Sequence, residues 1–175
     1  MPPDAGLALS ASDFRPEEIL KVLHGHGVRF VLVGGYAAVV YGSPYVTTDI
    51  DVVPERSEDN LARLSDALDE LHAKVWSIAE PAGAPFGHDG RSLGDVRVWN
   101  LVTDHGRLDL TFEPSGTTGY PDLSKDAITL DILGVEVDVA SLRDIIRSKE
   151  AAGRAKDRLV LPTLRDLLDE FGDTI

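Results

Sequence analysis

Cysteine is absent from the 175-residue chain, so disulfide bonds and thiolate metal sites are excluded. Long apolar runs are missing as well, and none approaches the roughly 18 residues that a membrane span needs. The first eleven residues have neither a basic start nor an apolar core, so we expect no secretory leader and a cytoplasmic protein with no membrane contact. Hydrophobic residues still make up 43% of the chain, which suits one domain with a sizeable core.

Positive charge is scarce, with 17 Lys and Arg against 30 Asp and Glu and a formal net charge of -13. This balance counts against a general nucleic-acid binder, because phosphate contacts need a basic surface. Residues 143–158 run the other way, with six basic and three acidic residues. On composition alone, this stretch is interpreted as a solvated helix face on an acidic surface.

The hydrophobic pattern predicts an α/β fold, a mixed sheet of about five strands with helices on its sides. We expect a flexible N-terminus at 1–12 and one domain over 13–175. The loops at 79–95 and 113–126 show no periodicity, and the longer of the predicted loops, 79–95, is typical of a lid, a binding element or disorder. Predicted strands cover 28–33, 48–53, 96–102, 107–112, 128–132 and 135–139, and predicted helices cover 16–23, 36–41, 57–72, a segment opened by Ser141, and a last helix from Pro162 to Phe171.

The most informative segment is Gly34-Gly35, followed after thirteen residues by Asp49-Ile50-Asp51. Alternate residues of a strand share a face, so Asp49 and Asp51 point together and Ile50 points into the core. Two adjacent carboxylates repel each other unless a cation lies between them, and Mg²⁺ favours carboxylates together with substrate phosphates. Gly34 and Gly35 come where a buried strand enters a helix, and the backbone donors there suit phosphate oxygens.

A third carboxylate is supplied by Asp109, which lies between Leu108 and Leu110 on a predicted strand. If that strand lies beside the Asp49 strand, the three aspartates form a metal-binding and catalytic triad for two Mg²⁺ or Mn²⁺ ions, with Asp109 as general base. Each feature alone has a simpler explanation, because Gly-Gly is usually a tight turn and Asp-x-Asp a solvated strand face. In this order and spacing, the two glycines, the Asp-x-Asp pair and Asp109 together favour a metal-dependent active site.

These residues resemble a known group of proteins. Residues 31–35 (VLVGG) and 47–53 (TTDIDVV) are similar to the nucleotidyltransferase superfamily of DNA polymerase beta type. Residues 113–120 and 146–157 extend the resemblance toward small bacterial AbiEii-type toxins. It implies a single-domain nucleotidyltransferase fold that binds an NTP such as ATP and transfers NMP to an acceptor hydroxyl.

The resemblance also implies roles for further residues. Lys149 and Asp157 match a helical lysine and a following aspartate of the site, and both are expected to bind the nucleotide. Thr48 and the two glycines are expected to bind it as well. Many members have serine where this chain has Gly35, and arginine near the position of Tyr45, so two phosphate contacts are missing.

Three hypotheses for the function follow from these observations. The first is a toxin that adds nucleotides to tRNA and is paired with an antitoxin protein, as the resemblance implies. The second is an enzyme that nucleotidylates a protein or a small molecule, which suits the acidic chain better. The third is a nucleotide-binding module whose site has decayed.

Overall fold

The computed structural model describes residues 13–172, so the predicted flexible segment at 1–12 and the last three residues lie outside it. The described residues form one mixed sheet of seven strands, not the five predicted. The two-residue strand β3 is too short to show an alternating pattern, and the C-terminal hairpin joins the same sheet. The strands are β1 (Phe30–Val33), β2 (Asp49–Pro54), β3 (Lys74–Val75), β4 (Val98–Thr103), β5 (Gly106–Thr111), β6 (Ile128–Ile132) and β7 (Val135–Val139).

The strand order is β3-β4-β5-β2-β1-β7-β6, which places β2 and β5 near the middle of the sheet. β1 pairs antiparallel with β2 and parallel with β7. β2 pairs parallel with β5, and β5 pairs antiparallel with β4. The sheet is therefore mixed, as the hydrophobic pattern predicts.

Seven helices accompany the sheet within the described residues. Their starts follow local signals: Pro16 opens the first helix, and the Ser57 and Ser141 side chains cap the third and sixth by accepting from the backbone N–H of Asn60 and Asp144. None of the helices in residues 13–172 is long and apolar enough to cross a membrane. The helices are α1 (Pro16–Gly25), α2 (Gly34–Val40), α3 (Glu58–Glu70), α4 (Gly90–Gly94), α5 (Tyr120–Leu123), α6 (Leu142–Ala152) and α7 (Ala155–Phe171).

The structure corrects three helix predictions. α4 and α5 lie inside segments predicted to be loops, and both are too short for a helical period to be detected. α7 begins at Ala155, not at Pro162. Pro162 is tolerated inside α7 because the residue is exposed. There its missing N–H removes one backbone hydrogen bond of the helix.

The core lies on the side of the sheet opposite the cleft described below. Ile50 and Val52 of β2 and Leu108 and Leu110 of β5 are fully buried and alternate with polar residues. This alternation fixes the other face of the same two strands as the place for Asp49, Asp51 and Asp109.

Candidate active site

Three carboxylates meet at the centre of the cleft face. Asp51 of β2 lies directly opposite Asp109 of the parallel strand β5, and Asp49 lies two residues earlier on the same face of β2. Each of the three offers an oxygen, and these oxygens lie within 4.8 Å of one another. The structure thus brings together the three aspartates that the sequence suggested as metal ligands.

The protonation behaviour of this cluster reflects crowded negative charge. Burial, with the charges of Asp49 and Asp109, raises the pKa of Asp51 to about 7. Burial also raises the pKa of Asp109 to about 6, against the lowering effect of the Arg107 guanidinium. A cation between the carboxylates would relieve both the repulsion and the desolvation, and an all-oxygen donor set suits Mg²⁺ or Mn²⁺. The residues present therefore fit a divalent metal.

Gly34 is required by the path of the chain beside this cluster. Its φ of +74° lies in the left-handed region, and a Cβ there would come 2.3 Å from Oδ2 of Asp51. Gly35, by contrast, would place a Cβ 3.3 Å from the Thr47 hydroxyl at an ordinary backbone conformation. Both glycines line the cleft and begin α2, which starts two residues earlier than the predicted helix at 36–41.

Asp49 is oriented by a neighbour that sequence analysis did not single out. The Thr47 hydroxyl lies 3.0 Å from Oδ1 of Asp49 and 3.2 Å from the Asp49 carbonyl oxygen, and it donates to them. Thr48, which was expected to bind nucleotide, is exposed at the edge of the cleft. Thr47 and Thr48 both precede β2, so the loop that leads into the strand sets the directions of their side chains.

A group of cations approaches the triad from α6 and α7. Lys149 is largely buried, with 17% of its side chain exposed, and its Nζ lies 3.7 Å from Oδ1 of Asp157. Burial lowers the pKa of Lys149, although Asp157 and Asp51 oppose the shift. Arg154 and Lys156 also line the cleft. This side therefore presents three positive side chains to any anion held beside the aspartates.

Asp157 lies behind these cations instead of facing the cleft. It is 0% exposed, and it accepts hydrogen bonds from the Arg154 backbone N–H at 3.1 Å and from Arg154 Nε at 2.7 Å. Burial opposes ionisation of Asp157, but Arg154 and Lys149 together outweigh it and hold its pKa below the ordinary value. Its contacts hold Lys149 and Arg154 in place, and the sequence had suggested direct contact with the nucleotide.

The opposite side of the triad is formed by β4 and β5. Asn100 of β4 pairs with Asp109, and Arg107 of β5 pairs with Asp49. Arg107 could have been identified as a site residue from its position two residues before Asp109. Trp76, whose ring contacts the Arg107 guanidinium, lies too far away in sequence to be identified in this way. Together the two sides enclose a cleft of about 1050 Å³, large enough for a nucleotide and an acceptor group.

The fold of this chain is similar to the folds of solved nucleotidyltransferase structures. No protein-family model matches the chain, and no curated protein is significantly similar to it in sequence. Solved structures do match. The lincosamide antibiotic adenylyltransferase LnuA, solved with lincomycin bound, has a TM-score of 0.60 at 13% identity, covering 91% of this chain and 99% of LnuA.

Two further structures agree. The antibiotic-resistance factor ANT(2'')-Ia has a TM-score of 0.55 at 14% identity, covering 93% of this chain and 84% of its own. A candidate nucleotidyltransferase of Thermotoga maritima, TM1012, has a TM-score of 0.51 at 20% identity, covering 90% and 96%. At these identities the likeness shows the fold alone, so membership of the nucleotidyltransferase superfamily and kinship with AbiEii-type toxins both stay predictions.

Proposed function

We propose that the protein is a metal-dependent nucleotidyltransferase that transfers NMP from an NTP to an acceptor hydroxyl. The observation that carries this proposal is the triad, three carboxylates within 4.8 Å beside a glycine turn at a helix start. Asp49, Asp51 and Asp109 would hold Mg²⁺ or Mn²⁺, which when bound offsets the charge of the triphosphate and favours attack on its α-phosphorus.

Residues of the protein would bind the triphosphate and accept the proton of the acceptor hydroxyl. Gly34 and Gly35 provide backbone N–H donors, and Lys149 a positive charge, for the triphosphate. Asp109, with a pKa raised to about 6, takes the proton of the acceptor hydroxyl. The freed oxygen forms a bond to the α-phosphorus, the bond to the β-phosphate oxygen breaks, and pyrophosphate leaves.

Asp157 is proposed as a positioning residue and Thr48 as an edge contact of the nucleotide. Asp157→Asn would remove the negative charge that draws Lys149 and Arg154 together, so we expect weaker NTP binding with little change in the bound nucleotide's reactivity. A rise in KM for the NTP at nearly constant kcat would support this role.

For the acceptor, we propose a hydroxyl of a small molecule or a protein. The charge of -13 opposes a long anionic acceptor, and several arginines outside the cleft are already paired with carboxylates. Arg29 is paired with Glu55, and Arg165 with Glu150 at 2.7 Å. Two structural neighbours are named for antibiotics, which supports the small-molecule class. Transfer to tRNA by a toxin with an antitoxin partner is the alternative that the sequence resemblance supports.

Label transfer from an NTP radiolabelled at its α-phosphate tests the proposal. The protein would be incubated with each NTP, with Mg²⁺ or Mn²⁺, and with tRNA, cell protein or a metabolite extract in separate reactions. Asp51→Asn is the inactive variant, and Asp66→Asn is its matched control, since Asp66 is an exposed residue of α3 outside the cleft.

Label on small molecules or protein that is lost in Asp51→Asn and kept in Asp66→Asn would support the proposal. Label on tRNA, weakened steeply by salt, would favour the toxin hypothesis instead. Metal-dependent NTP binding without transfer to any acceptor would favour the decayed binding module, and the absence of both would contradict the enzyme assignment.

A further inference from the structure

Arg107 occupies a constrained position between the triad and an aromatic ring. Its NH2 nitrogen lies 3.3 Å from Oδ1 and 3.4 Å from Oδ2 of Asp109. On its other side, the Cζ atom lies 3.7 Å from the centroid of the Trp76 ring. One guanidinium therefore contacts a candidate metal ligand and an indole face at the same time.

Trp76 is itself fixed by the sheet. It directly follows β3, and its backbone N–H donates to the Asn100 carbonyl at 2.8 Å, which extends the β3–β4 pairing by one residue. Trp76 does not line the cleft, whereas Arg107 does. The indole therefore supports Arg107 from behind, on the side away from the carboxylates.

The bonding of Arg107 indicates that its orientation depends on this support. Both contacts with Asp109 are long for charge-assisted hydrogen bonds, and its Nε is buried with no hydrogen-bond partner. Stacking on the Trp76 indole therefore contributes substantially to the orientation of the Arg107 guanidinium, because tryptophan is the strongest aromatic partner of a cation.

We propose that Arg107 is a positioning residue that fixes the plane of the Asp109 carboxylate, and that Trp76 acts on the site through Arg107. The inference rests on the proposed function. A carboxylate that serves both a metal and an acceptor proton needs a set orientation. One terminal nitrogen of Arg107 contacts both oxygens, and stacking on Trp76 fixes the guanidinium that carries it. Lysine would keep the charge but would lose the stacking of a planar guanidinium on the indole.

The test is a double-mutant cycle with Arg107→Lys and Trp76→Leu, and Trp76→Phe as the conservative variant. Two properties are measured, binding of Mn²⁺ by loss of its free-ion paramagnetic resonance signal, and kcat and KM in label transfer. Trp99→Phe is the control, since Trp99 lies on the other face of β4 and donates to the Leu93 carbonyl. Urea unfolding of each variant shows whether the fold is kept.

We expect Arg107→Lys to lower Mn²⁺ affinity and kcat by about tenfold to a hundredfold, with the KM of the NTP nearly unchanged. Trp76→Leu should cause a smaller loss that Trp76→Phe largely restores. The double variant should match Arg107→Lys alone, because the indole has no other route to the site.

Unchanged Mn²⁺ affinity and kcat in a folded Arg107→Lys variant would overturn the inference, and so would losses that multiply in the double variant. These results differ from failure of the proposed function, in which the wild-type protein itself neither binds Mn²⁺ nor transfers label. If the proposed function fails in this way, the positioning role of Arg107 is refuted as well, because it rests on that function.

Discussion

The crowding of carboxylates predicts how the metal-free protein responds to pH. The pKa of Asp51 is raised from 3.8 to about 7 by burial and by its acidic neighbours. Between these values the folded protein holds a proton that the unfolded chain has released. The contribution of Asp51 to stability is therefore present at low pH, decreases as the pH rises from about 4 and is lost above about pH 7.

The size of the effect follows from the same shift. For Asp51 alone, the free energy of unfolding should fall by roughly 2–3 kcal/mol between about pH 5 and about pH 8, at 1.36 kcal/mol per pKa unit. Asp109, with a pKa of about 6, changes in the same direction, so the measured loss belongs to the cluster as a whole.

Urea unfolding in EDTA across this range measures the loss directly. In Asp51→Asn the carboxamide cannot ionise, so its stability should change much less and should exceed that of the wild type at about pH 8. Adding Mg²⁺ at that pH should stabilise the wild type and leave the variant nearly unchanged. The exposed control Asp66→Asn should follow the wild type. Equal pH dependence in the wild type and Asp51→Asn would refute the reasoning.

Two further predictions concern backbone and core. Gly34→Ala should abolish metal-dependent nucleotide binding in a filter assay, because its Cβ would displace Asp51. Gly35→Ala should reduce binding only modestly. Equal effects of the two variants would contradict the close approach at Gly34. Tyr41→Phe should lower the free energy of unfolding by about 1–2 kcal/mol in urea, because its hydroxyl is the donor to the buried Ala140 carbonyl at 2.8 Å; no loss would mean that water replaces that bond.

The sequence predicted those parts of the site that depend on short-range order. Strand alternation placed Asp49 and Asp51 on one face, and the same rule turned Asp109 toward the cleft. The side chain of Asp157 illustrates the limit of this reasoning. A sequence motif suggested its presence near the nucleotide, but only tertiary packing determines that it is fully buried behind Arg154.

Contacts between distant residues could not be predicted in the same way. Trp76 and Arg107 are thirty-one residues apart, and they meet because β3 and β5 both flank β4. Neither β3, with two residues, nor α4, with five, is long enough to show periodicity. Hence the side of the cleft nearest β4 was the part that sequence analysis described least.

The spacing between the glycines and the Asp-x-Asp pair has a topological explanation. β1 ends at Val33, which pairs with Asp51 in antiparallel register, so the glycine turn begins directly beside the second aspartate. The thirteen intervening residues comprise the rest of α2 and the loop that returns the chain to β2. Their number therefore matters less than the register of β1 with β2. A change that shifted this register by one residue would turn Asp49 and Asp51 into the core and destroy the site, even with every site residue retained.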